Sequence, residues 1–493
     1  MYRIALHADL TGVEWHHGCA LSTSVFREID ASSLAVFRIL FGALLLFEAV
    51  NYGVFLCLDC MYRETSLLFK YPGFDWAVLP PGKGLEILFA IMAIAGFCVM
   101  IGYRYRLAII VVFLAFSYHF LLDRALYLNH YYLTMLFIGI LIFLPANRCW
   151  SVDARRARPQ QSETVPAWTR FWLCAQLEIV LLYAGIVKIN SDWLQLEPMR
   201  LWMNARSADE GAFLQWVTQD WGIALASYSV IILHIIGAPL LLWKRTRFVV
   251  FLCYCVFHTI NAFVFNIGIF PWMTIAATML MFDPSWPRQM IKRINQRGYL
   301  QKFKSLASFE PGKARTENST TLSSNSHSGV KTLWRTGIVT MVLVWLALQI
   351  LVPLRHYRIP GDVNWTEQGH QFSWRMMLRS KRGNATFHVR TPKGGDYRVK
   401  LADHLTAKQT RKAACLPDLI WQFAQYLQSE ALRQGHADDV AEVRIFVETS
   451  CSLNTREPSP IINRLVDLTS LERGAPASSW ITTQTKPLPN PIF

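Results

Sequence analysis

The residue best placed to do acid–base chemistry is Lys188, at the end of a long apolar run in Tyr183-Ala-Gly-Ile-Val-Lys-Ile-Asn-Ser-Asp-Trp193. A cation at the margin of an apolar phase must reach water, pair with an anion or lose its proton. Loss of the proton would make Lys188 a base for a weak acid such as a phenol. The alternative is an ion pair with Asp192, four residues further on, which would contribute only about 0.3 to 0.5 kcal/mol if exposed.

Two other apolar runs carry polar side chains that could join Lys188. Asn129 and His130 begin one run, and His258 and Asn261 lie in another at a spacing of three residues, which puts both on one helical face. If all three positions lie toward the same side of a membrane, three helices project polar groups into one region. We therefore predict a site built inside a helical bundle.

Isolated histidines and the common catalytic motifs indicate no other chemistry. His119 and His234 each lie in an apolar run and are interpreted as neutral imidazoles hydrogen-bonded to another helix. His119 and Asp123 have three residues between them, one fewer than the acyltransferase motif His-x-x-x-x-Asp requires. No Gly-x-Ser-x-Gly, His-Glu-x-x-His or Gly-x-x-x-x-Gly-Lys motif occurs. Hydrolase, zinc protease and nucleotide-driven functions are disfavoured, and we predict no metal site.

The composition is that of an integral membrane protein. Of 493 residues, 53% are hydrophobic and only 17% are charged, and the mean hydropathy is positive. The net charge of +15 comes mostly from Lys and Arg between apolar runs, where such residues orient membrane helices. Nucleic-acid binding is therefore rejected. The first residues lack a basic start, an apolar core and a cleavage site, so we expect no removable signal peptide.

Nine apolar runs predict nine membrane spans, of which the eighth is the weakest. Several approach the ~20 residues that a spanning helix needs. Basic residues collect in the loops after spans two, four, six and eight, which places those loops in the cytoplasm. The N-terminus is then cytoplasmic, and Lys188 lies on the external side. The predicted spans are 32–53, 85–102, 107–122, 131–146, 171–188, 222–243, 248–266, 269–282 and 334–353.

The predicted fold class is mainly α: a polytopic membrane helical bundle with a small mixed α/β extramembrane C-terminal domain. That domain is predicted from alternating patterns at 386–390 and 443–447 and an amphipathic helical stretch at 418–432. A stretch rich in Ser, Thr and Asn before the last span indicates a flexible linker. The predicted domains are a cytoplasmic segment at 1–30, a membrane helical domain at 31–300, a cytoplasmic linker at 301–333, the last transmembrane helix at 334–353 and an extracytoplasmic domain at 354–493.

The ten cysteines are scattered along the chain. Cys57 and Cys60 form a lone Cys-x-x-Cys in a loop, which could be a redox pair or half a metal site. An incidental pair is favoured, because no second pair at zinc-like spacing accompanies it. Cys415 and Cys451 could be bridged only if the C-terminal domain lies outside the cytoplasm. Four cysteines in apolar runs are expected to behave as small hydrophobic residues: Cys98, Cys174, Cys253 and Cys255.

Several segments, taken in order, carry a resemblance to a known family. Besides Ala184-Gly185, Lys188 and Asp192-Trp193, they are Ser33-Leu-Ala-Val-Phe-Arg-Ile-Leu-Phe-Gly42, Phe120-Leu-Leu-Asp123, Asn129-His-Tyr-Tyr-Leu133, Trp150-Ser-Val-Asp153, Phe257-His258 through Asn261, Ile267-Gly-Ile-Phe270, Asn364-Trp-Thr366 and Phe372-Ser-Trp-Arg-Met-Met377. Together they resemble the vitamin K-dependent γ-glutamyl carboxylases and their bacterial homologues. The resemblance covers about residues 30–300 and 353–400, and its last segment looks like the one with which the family re-enters its active site.

The resemblance implies an enzyme in which Lys188 deprotonates reduced vitamin K or a related naphthoquinol, which then reacts with oxygen. The quinone becomes an epoxide, and a strongly basic oxygenated intermediate removes a γ-proton from a glutamate of a protein or peptide. Carbon dioxide then adds to the carbanion. By the same resemblance, Asn129 and His130 stabilise or position that intermediate. The remaining implied site residues, which contact cofactor or substrate, are His258, Asn261, Trp374, Met376 and Met377.

The sequence also departs from the family pattern. Val187 precedes Lys188 where animal members carry two adjacent lysines, and the C-terminal domain is shorter than theirs. The sequence therefore predicts quinol oxygenation first and carboxylation as the step that would follow, in a bacterial inner membrane. Two alternatives remain open. One is an enzyme of the same scaffold acting on another lipid or acyl substrate through His258, and the other is a transporter or structural membrane protein in which Lys188 only pairs with Asp192.

Overall fold

The computed structural model describes residues 24–157, 162–207, 215–216, 218–265, 267–296 and 328–489. Within them, seven helices are long and apolar enough to cross a membrane, and two shorter apolar helices occupy the predicted fourth and eighth spans. The prediction of a mainly helical membrane bundle is confirmed. Most of the predicted N-terminal segment and of the predicted linker falls outside the described residues.

The helices of the membrane part follow the apolar runs closely. In chain order they are α1 (Ser32–Val50), α2 (Gly84–Ile101), α3 (Tyr105–Leu122), α4 (Asn129–Phe143), α5 (Val152–Arg156), α6 (Ala167–Ile186), α7 (Ser191–Leu194), α8 (Met199–Ser207), α9 (Asp220–Ile232), α10 (Ala238–Leu242), α11 (Arg247–Phe265), α12 (Phe270–Thr278), α13 (Trp286–Gln296) and α14 (Ser328–Leu354). A π-helical turn, Leu233–Gly237, joins α9 to α10 in one candidate span.

The fourth apolar helix, α4, is too short to cross a bilayer by itself. Its 15 residues extend about 22 Å, against about 30 Å for a hydrocarbon core. The N-terminal end of α4 is covered by a later part of the chain. There the rings of Phe372 and Trp374 each lie 4.9 Å, centroid to centroid, from the ring of Tyr132. A chain segment from beyond the last membrane helix thus packs into the bundle.

The end of α6 is placed by a close helix contact. A Cβ atom on Gly185 would lie 2.8 Å from Ile235 Cγ1 and 2.9 Å from His234 Cβ, so only glycine lets α6 approach the π-helical turn this closely. The helix ends at Ile186, and Asn190 then caps α7 by accepting a hydrogen bond from Trp193 N at 3.1 Å. The loop between the two helices is therefore fixed at both ends.

The buried Arg38 and Glu48 of the first span bind other parts of the chain rather than each other. Arg38 donates to the carbonyl oxygens of Ala146, Cys149 and Trp150, at 3.0, 3.2 and 2.6 Å. Glu48 accepts a hydrogen bond from the hydroxyl of Tyr131 at 2.7 Å. These contacts satisfy polar groups that would be costly to leave unpaired in an apolar interior.

The chain after α14 forms the predicted small α/β unit, which we call the extramembrane unit. Its antiparallel sheet has the order β4-β3-β5 and carries α17 on one face, where the Phe387 and Phe423 rings lie 4.9 Å apart. The strands β1 and β2 pair with each other in the membrane part. The strands are β1 (Glu28–Asp30), β2 (Thr164–Pro166), β3 (Lys381–Thr391), β4 (Gly395–Lys400) and β5 (Arg444–Leu453), and the remaining helices are α15 (Val363–Thr366), α16 (Ala407–Ala413), α17 (Pro417–Arg433) and α18 (Ala477–Trp480).

Two pairs of the described cysteines form disulfides, one between residues close in the sequence and one between distant residues. Cys415 and Cys451 form a buried disulfide inside the extramembrane unit. Cys57 and Cys60 form an exposed disulfide in the loop after α1, so the favoured interpretation of an incidental pair is wrong. The four cysteines in apolar runs are free thiols, as predicted.

The extramembrane unit rests on loops that the charge pattern assigns to one side of the membrane. Arg124, in the loop after α3, forms an ion pair with Asp418 at 2.6 Å. In the loop after α1, Lys70 N donates to Gln422 Oε1 at 2.7 Å. The ends of spans one and three therefore lie on the same side as the C-terminal unit, as the sequence predicts.

Candidate active site

Lys188 lies two residues beyond the end of α6, in the fixed loop before α7. Its side chain is only 5% exposed. The Nζ atom donates to the carbonyl oxygens of Ala184 at 2.9 Å and of Met376 at 3.2 Å. It also lies 4.9 Å from the centre of the Trp193 ring. Lys188 is thus held by main-chain oxygens and an aromatic face.

The ion pair between Lys188 and Asp192, the alternative left open by the sequence, does not form. Asp192 binds Arg456 of the extramembrane unit through both carboxylate oxygens, at 2.6 and 2.7 Å. A third bond reaches Asp192 from Asn454 Nδ2 at 2.8 Å. Among the described residues no carboxylate pairs with Lys188, so the alternative of a structural pair with Asp192 is wrong.

This environment favours the uncharged form of Lys188. Burial lowers the pKa of Lys188 to about 7, because the ammonium loses water and gains no anion in return. A neutral amine has two N–H groups, which match the two carbonyl acceptors and leave its lone pair available. An ammonium would carry a third N–H group, for which the described part of the chain supplies no acceptor. Lys188 can therefore serve as a proton acceptor near neutral pH.

A cleft opens beside Lys188 between α6, α8, α11 and the segment around Met376. It encloses about 540 Å³, its open mouth included. Much of its wall is aromatic, from Trp193, Trp202, Phe257, Phe265 and Phe270. Among the described residues, its polar side chains are Lys188, His234 and Asn261. A flat, mostly apolar molecule with one or two polar groups fits such a lining.

Four of the predicted site residues line this cleft together. Lys188 follows the end of α6, and Asn261 lies on α11. Met376 and Met377 belong to the segment after α14. Met377 has a positive φ of 53°, which is unusual for a residue with a long side chain. The backbone at this point is therefore shaped by its surroundings rather than by local preference.

The predicted His258 does not line the cleft, although it shares a helical face with Asn261. Its ring is fully buried, stacks on Tyr254 with centroids 5.8 Å apart, and meets the edge of Phe270 at the same separation. Neither ring nitrogen has a hydrogen-bond partner among the described residues. His258 lies behind the aromatic wall that Phe270 and Phe257 present to the cleft.

Asn129 and His130, at the start of α4, approach the site from another side. Asn129 Nδ2 donates to the Arg375 carbonyl at 3.4 Å, and its Oδ1 accepts from the Tyr127 hydroxyl at 2.9 Å. The His130 ring lies 6.3 Å from that of Phe270. Asn129 thus contacts the backbone next to Met376, and His130 contacts a ring of the cleft wall.

Trp374 acts on the cleft from behind. It is fully buried and stacks on Tyr132, and it does not line the open space. The following Arg375 donates to Asn364 Oδ1 at 2.8 Å and lies 3.2 Å from His356 Nε2. These contacts fix the backbone that presents the Met376 carbonyl to Lys188.

One polar lining residue was missed by sequence reasoning. His234 was interpreted as an isolated imidazole bonded to another helix, yet its Nδ1 bonds the Val230 carbonyl of its own helix at 2.8 Å, and its ring faces the cleft. The signal that could have found it is Gly185, whose missing side chain lets α6 meet the helix that carries His234.

Comparison with known families agrees with this arrangement of two units. Residues 26–286, more than half of the chain, match the HTTM domain, and residues 334–486 match the lumenal domain of the vitamin K-dependent gamma-carboxylases. No solved structure matches the chain. Because the membrane bundle and the extramembrane unit match these two domains in the same chain, the protein belongs to the vitamin K-dependent gamma-carboxylase family.

Proposed function

We propose that this protein is a membrane enzyme in which Lys188 takes a proton from a reduced naphthoquinone, coupling its oxygenation to an epoxide with the carboxylation of protein or peptide glutamate. The observation that carries the proposal is a buried lysine in the wall of a mostly apolar cleft, with no carboxylate partner in the described part of the chain. Oxygen and carbon dioxide are the co-substrates. The family membership supports this reaction class.

The residues around the cleft suit a naphthoquinol such as reduced vitamin K. The cleft is a partly open space of about 540 Å³ that includes its mouth, and small-molecule sites are commonly clefts with a mostly apolar lining and a few polar groups. Aromatic and methionine side chains match a flat bicyclic ring, and Asn261 and His234 offer hydrogen bonds to ring oxygens. When bound, the naphthoquinol supplies a weakly acidic hydroxyl and the electrons for its own oxygenation.

In this proposal the chain's own groups prepare Lys188 as the base. The carbonyls of Ala184 and Met376 hold both N–H groups of the neutral amine, and the face of Trp193 covers one side of Nζ. The lone pair of the nitrogen is then free to accept a proton. Burial of Trp193, Met199 and Lys188 to 6% exposure or less keeps bulk water from that position.

The remaining predicted residues take supporting roles. Asn129 and Arg375 order the backbone on one side of the cleft, and His130 supports Phe270. Trp374 fixes the segment that carries Met376 and Met377. We propose that these residues shape a dry site, where a strong base formed during the reaction would survive long enough to act on glutamate.

We further propose that the extramembrane unit lies outside the cytoplasm, as in a bacterial inner membrane with a periplasmic domain, and receives the glutamate-containing partner. The alternation of basic loops supports this orientation. The buried bond between Cys415 and Cys451 supports it independently, because disulfides persist in oxidising compartments.

The test is epoxide formation from reduced naphthoquinone by membranes that contain the protein, measured together with incorporation of labelled carbon dioxide into a glutamate peptide. Lys188→Ala should lower both by about 100-fold or more, since a positioned base contributes ~10² to 10⁴ in rate. Lys83→Ala, at an exposed loop lysine, is the matched control and should retain full activity. Unchanged epoxide yield in Lys188→Ala would refute the assigned role. Epoxide without carbon dioxide incorporation would limit the function to quinol oxygenation.

A further inference from the structure

Asp192 and Arg456 join the loop of Lys188 to the extramembrane unit. The guanidinium binds both carboxylate oxygens, at 2.6 and 2.7 Å, and both side chains are largely buried. Two parallel charge-assisted bonds of this kind are strong and directional. Although burial acts to raise it, the bonds from Arg456 and Asn454 lower the pKa of Asp192, so the carboxylate stays ionised.

The turn that carries Arg456 is built for this contact. It follows β5, and both Asn454 and Thr455 adopt positive φ angles, 49° and 70°. Asn454 also exchanges two hydrogen bonds with the backbone of Ser380, at 2.7 and 2.9 Å. Ser380 lies three residues beyond Met377, so the same turn holds the loop of Lys188 and the segment on the opposite wall of the cleft.

Without Arg456, Lys188 would be the cation closest to Asp192 along the chain. The two residues are four positions apart in the chain. The ring centre of Trp193, the residue after Asp192, lies 4.9 Å from Lys188 Nζ. A buried carboxylate without a partner is costly, so it would turn toward the amine and favour its protonation. A protonated Lys188 cannot accept a proton.

We propose that Arg456 is a positioning residue for the base: by binding Asp192, it withdraws the carboxylate from Lys188, so that docking of the extramembrane unit makes Lys188 competent. The proposal rests on the role of Lys188 given above and assigns a control of that same site. The membrane bundle alone would hold a lysine–aspartate pair, and the complete protein holds an uncharged lysine.

The other ionisable groups described near Lys188 do not supply an anion that could pair with it in place of Asp192. Glu197, on the loop after α7, is buried, and burial raises its pKa to about 7, so it is a poor anion at neutral pH. His234, from the π-helical turn packed on α6, donates from Nδ1 to the Val230 carbonyl oxygen and carries no negative charge. Arg200 lies beside Glu197 at 4.0 Å and also bonds Asp220. Asp192 is the carboxylate whose partner decides the charge at Lys188.

The experiment compares the full-length protein with Arg456→Gln, Asp192→Asn and the double variant. The first readout is the pH at which Lys188 becomes reactive, followed by mass spectrometry after labelling with a small apolar amine-reactive reagent. Arg456→Gln should raise that pH by about one unit or more, because an opposite charge nearby raises a lysine pKa. The double variant should return it to the wild-type value. The matched control is Arg390→Gln, an exposed arginine of the extramembrane unit paired with Asp396.

The second readout is the pH profile of quinol epoxidation. Arg456→Gln should lose at least about fivefold in rate near pH 7, and Asp192→Asn should restore most of that loss in the double variant. If the ion pair were merely structural, substituting Asp192 as well would not restore activity. A double variant as defective as Arg456→Gln in both readouts would therefore overturn the proposal. Should Arg456→Gln fail to fold, Asp192→Asn alone decides: an unchanged reactive pH supports the proposal, and a raised one contradicts it. A labelling shift in a protein that forms no epoxide would refute the proposed function and leave this inference standing.

Discussion

Lys188 and Met376 are 188 positions apart in the chain, and the Lys188 side chain donates a hydrogen bond to the Met376 carbonyl oxygen at 3.2 Å. The contact joins the end of a membrane helix to a segment that follows the last one. Because the acceptor is a main-chain oxygen without full charge, it orients the amine and does not favour the ammonium as a carboxylate would. The same bond thus joins Lys188 to the segment that forms one wall of the cleft without giving the amine a charged partner.

The rate of epoxide formation should rise with pH through about pH 7. Burial lowers the pKa of Lys188 to about 7, and only the neutral amine accepts a proton, so activity is present above that pKa and falls as pH drops through it. Below the pKa the rate should fall about tenfold per pH unit. The measurement is kcat at saturating quinol between about pH 5.5 and 8.5, and a flat profile over that range would contradict Lys188 as the base.

Gly185→Ala should destabilise the protein and reduce its activity. The added Cβ would meet Ile235 and His234 at 2.8 and 2.9 Å, and overpacking of this kind costs about 1 to 3 kcal/mol. The displaced end of α6 would also move Lys188 from the Met376 carbonyl. Gly337→Ala in α14 is the matched control, because a Cβ there has no neighbour within 4 Å. Thermal unfolding in detergent compares the two, and equal midpoints would show that the contact is not tight.

Asn261→Ala should weaken quinol binding, whereas His258→Phe should not. Asn261 lines the cleft, and loss of one hydrogen bond of about 1 kcal/mol should raise KM about fivefold with little change in kcat. His258 is buried behind the wall, and a phenyl ring nearly preserves its volume. Steady-state kinetics on both variants decide the matter. Loss of activity in His258→Phe with a normal Asn261→Ala would favour the alternative enzyme that acts through His258.

Single cysteines placed in two loops should report the orientation of the chain. Lys83 and Arg245 are both exposed and lie in loops that the charge pattern assigns to opposite sides of the membrane. In intact cells a membrane-impermeant maleimide should label Lys83→Cys and spare Arg245→Cys, with the unsubstituted protein as background. The reverse pattern would place Lys188 and the extramembrane unit in the cytoplasm and contradict the proposed orientation.

Helix positions were predictable because burial in a bilayer acts on short stretches of chain. An apolar run of sufficient length must satisfy its own backbone hydrogen bonds, and a helix does so within the segment. All nine predicted runs are helical, and 418–432 lies inside the helix Pro417–Arg433. The short lengths of α4 and α12 were harder to predict from the sequence. Composition does not show where another part of the chain will cover the end of a helix.

The candidate site was only partly predictable. Lys188 stands out as a polar group at the end of an apolar run and Asn261 as one within a run, and the resemblance pointed to Met376 and Met377. His258 lies on the same helical face as Asn261 but behind the wall of the cleft. Periodicity predicts the face on which a residue lies, but it does not predict which side chains of neighbouring helices will cover that residue. His234 lines the cleft through a close helix contact that no local pattern describes.

The sequence by itself determined that a lysine stands at the margin of the membrane, in a bundle of apolar helices with an extramembrane α/β unit, because hydropathy and spacing are properties of neighbouring residues. It left undecided whether that lysine pairs with Asp192, since the carboxylate stands only four residues away. Tertiary structure decided this, because Arg456, 264 positions further on, binds Asp192 instead. The charge of Lys188 depends on which partner lies nearest in space, and only the folded chain sets that distance.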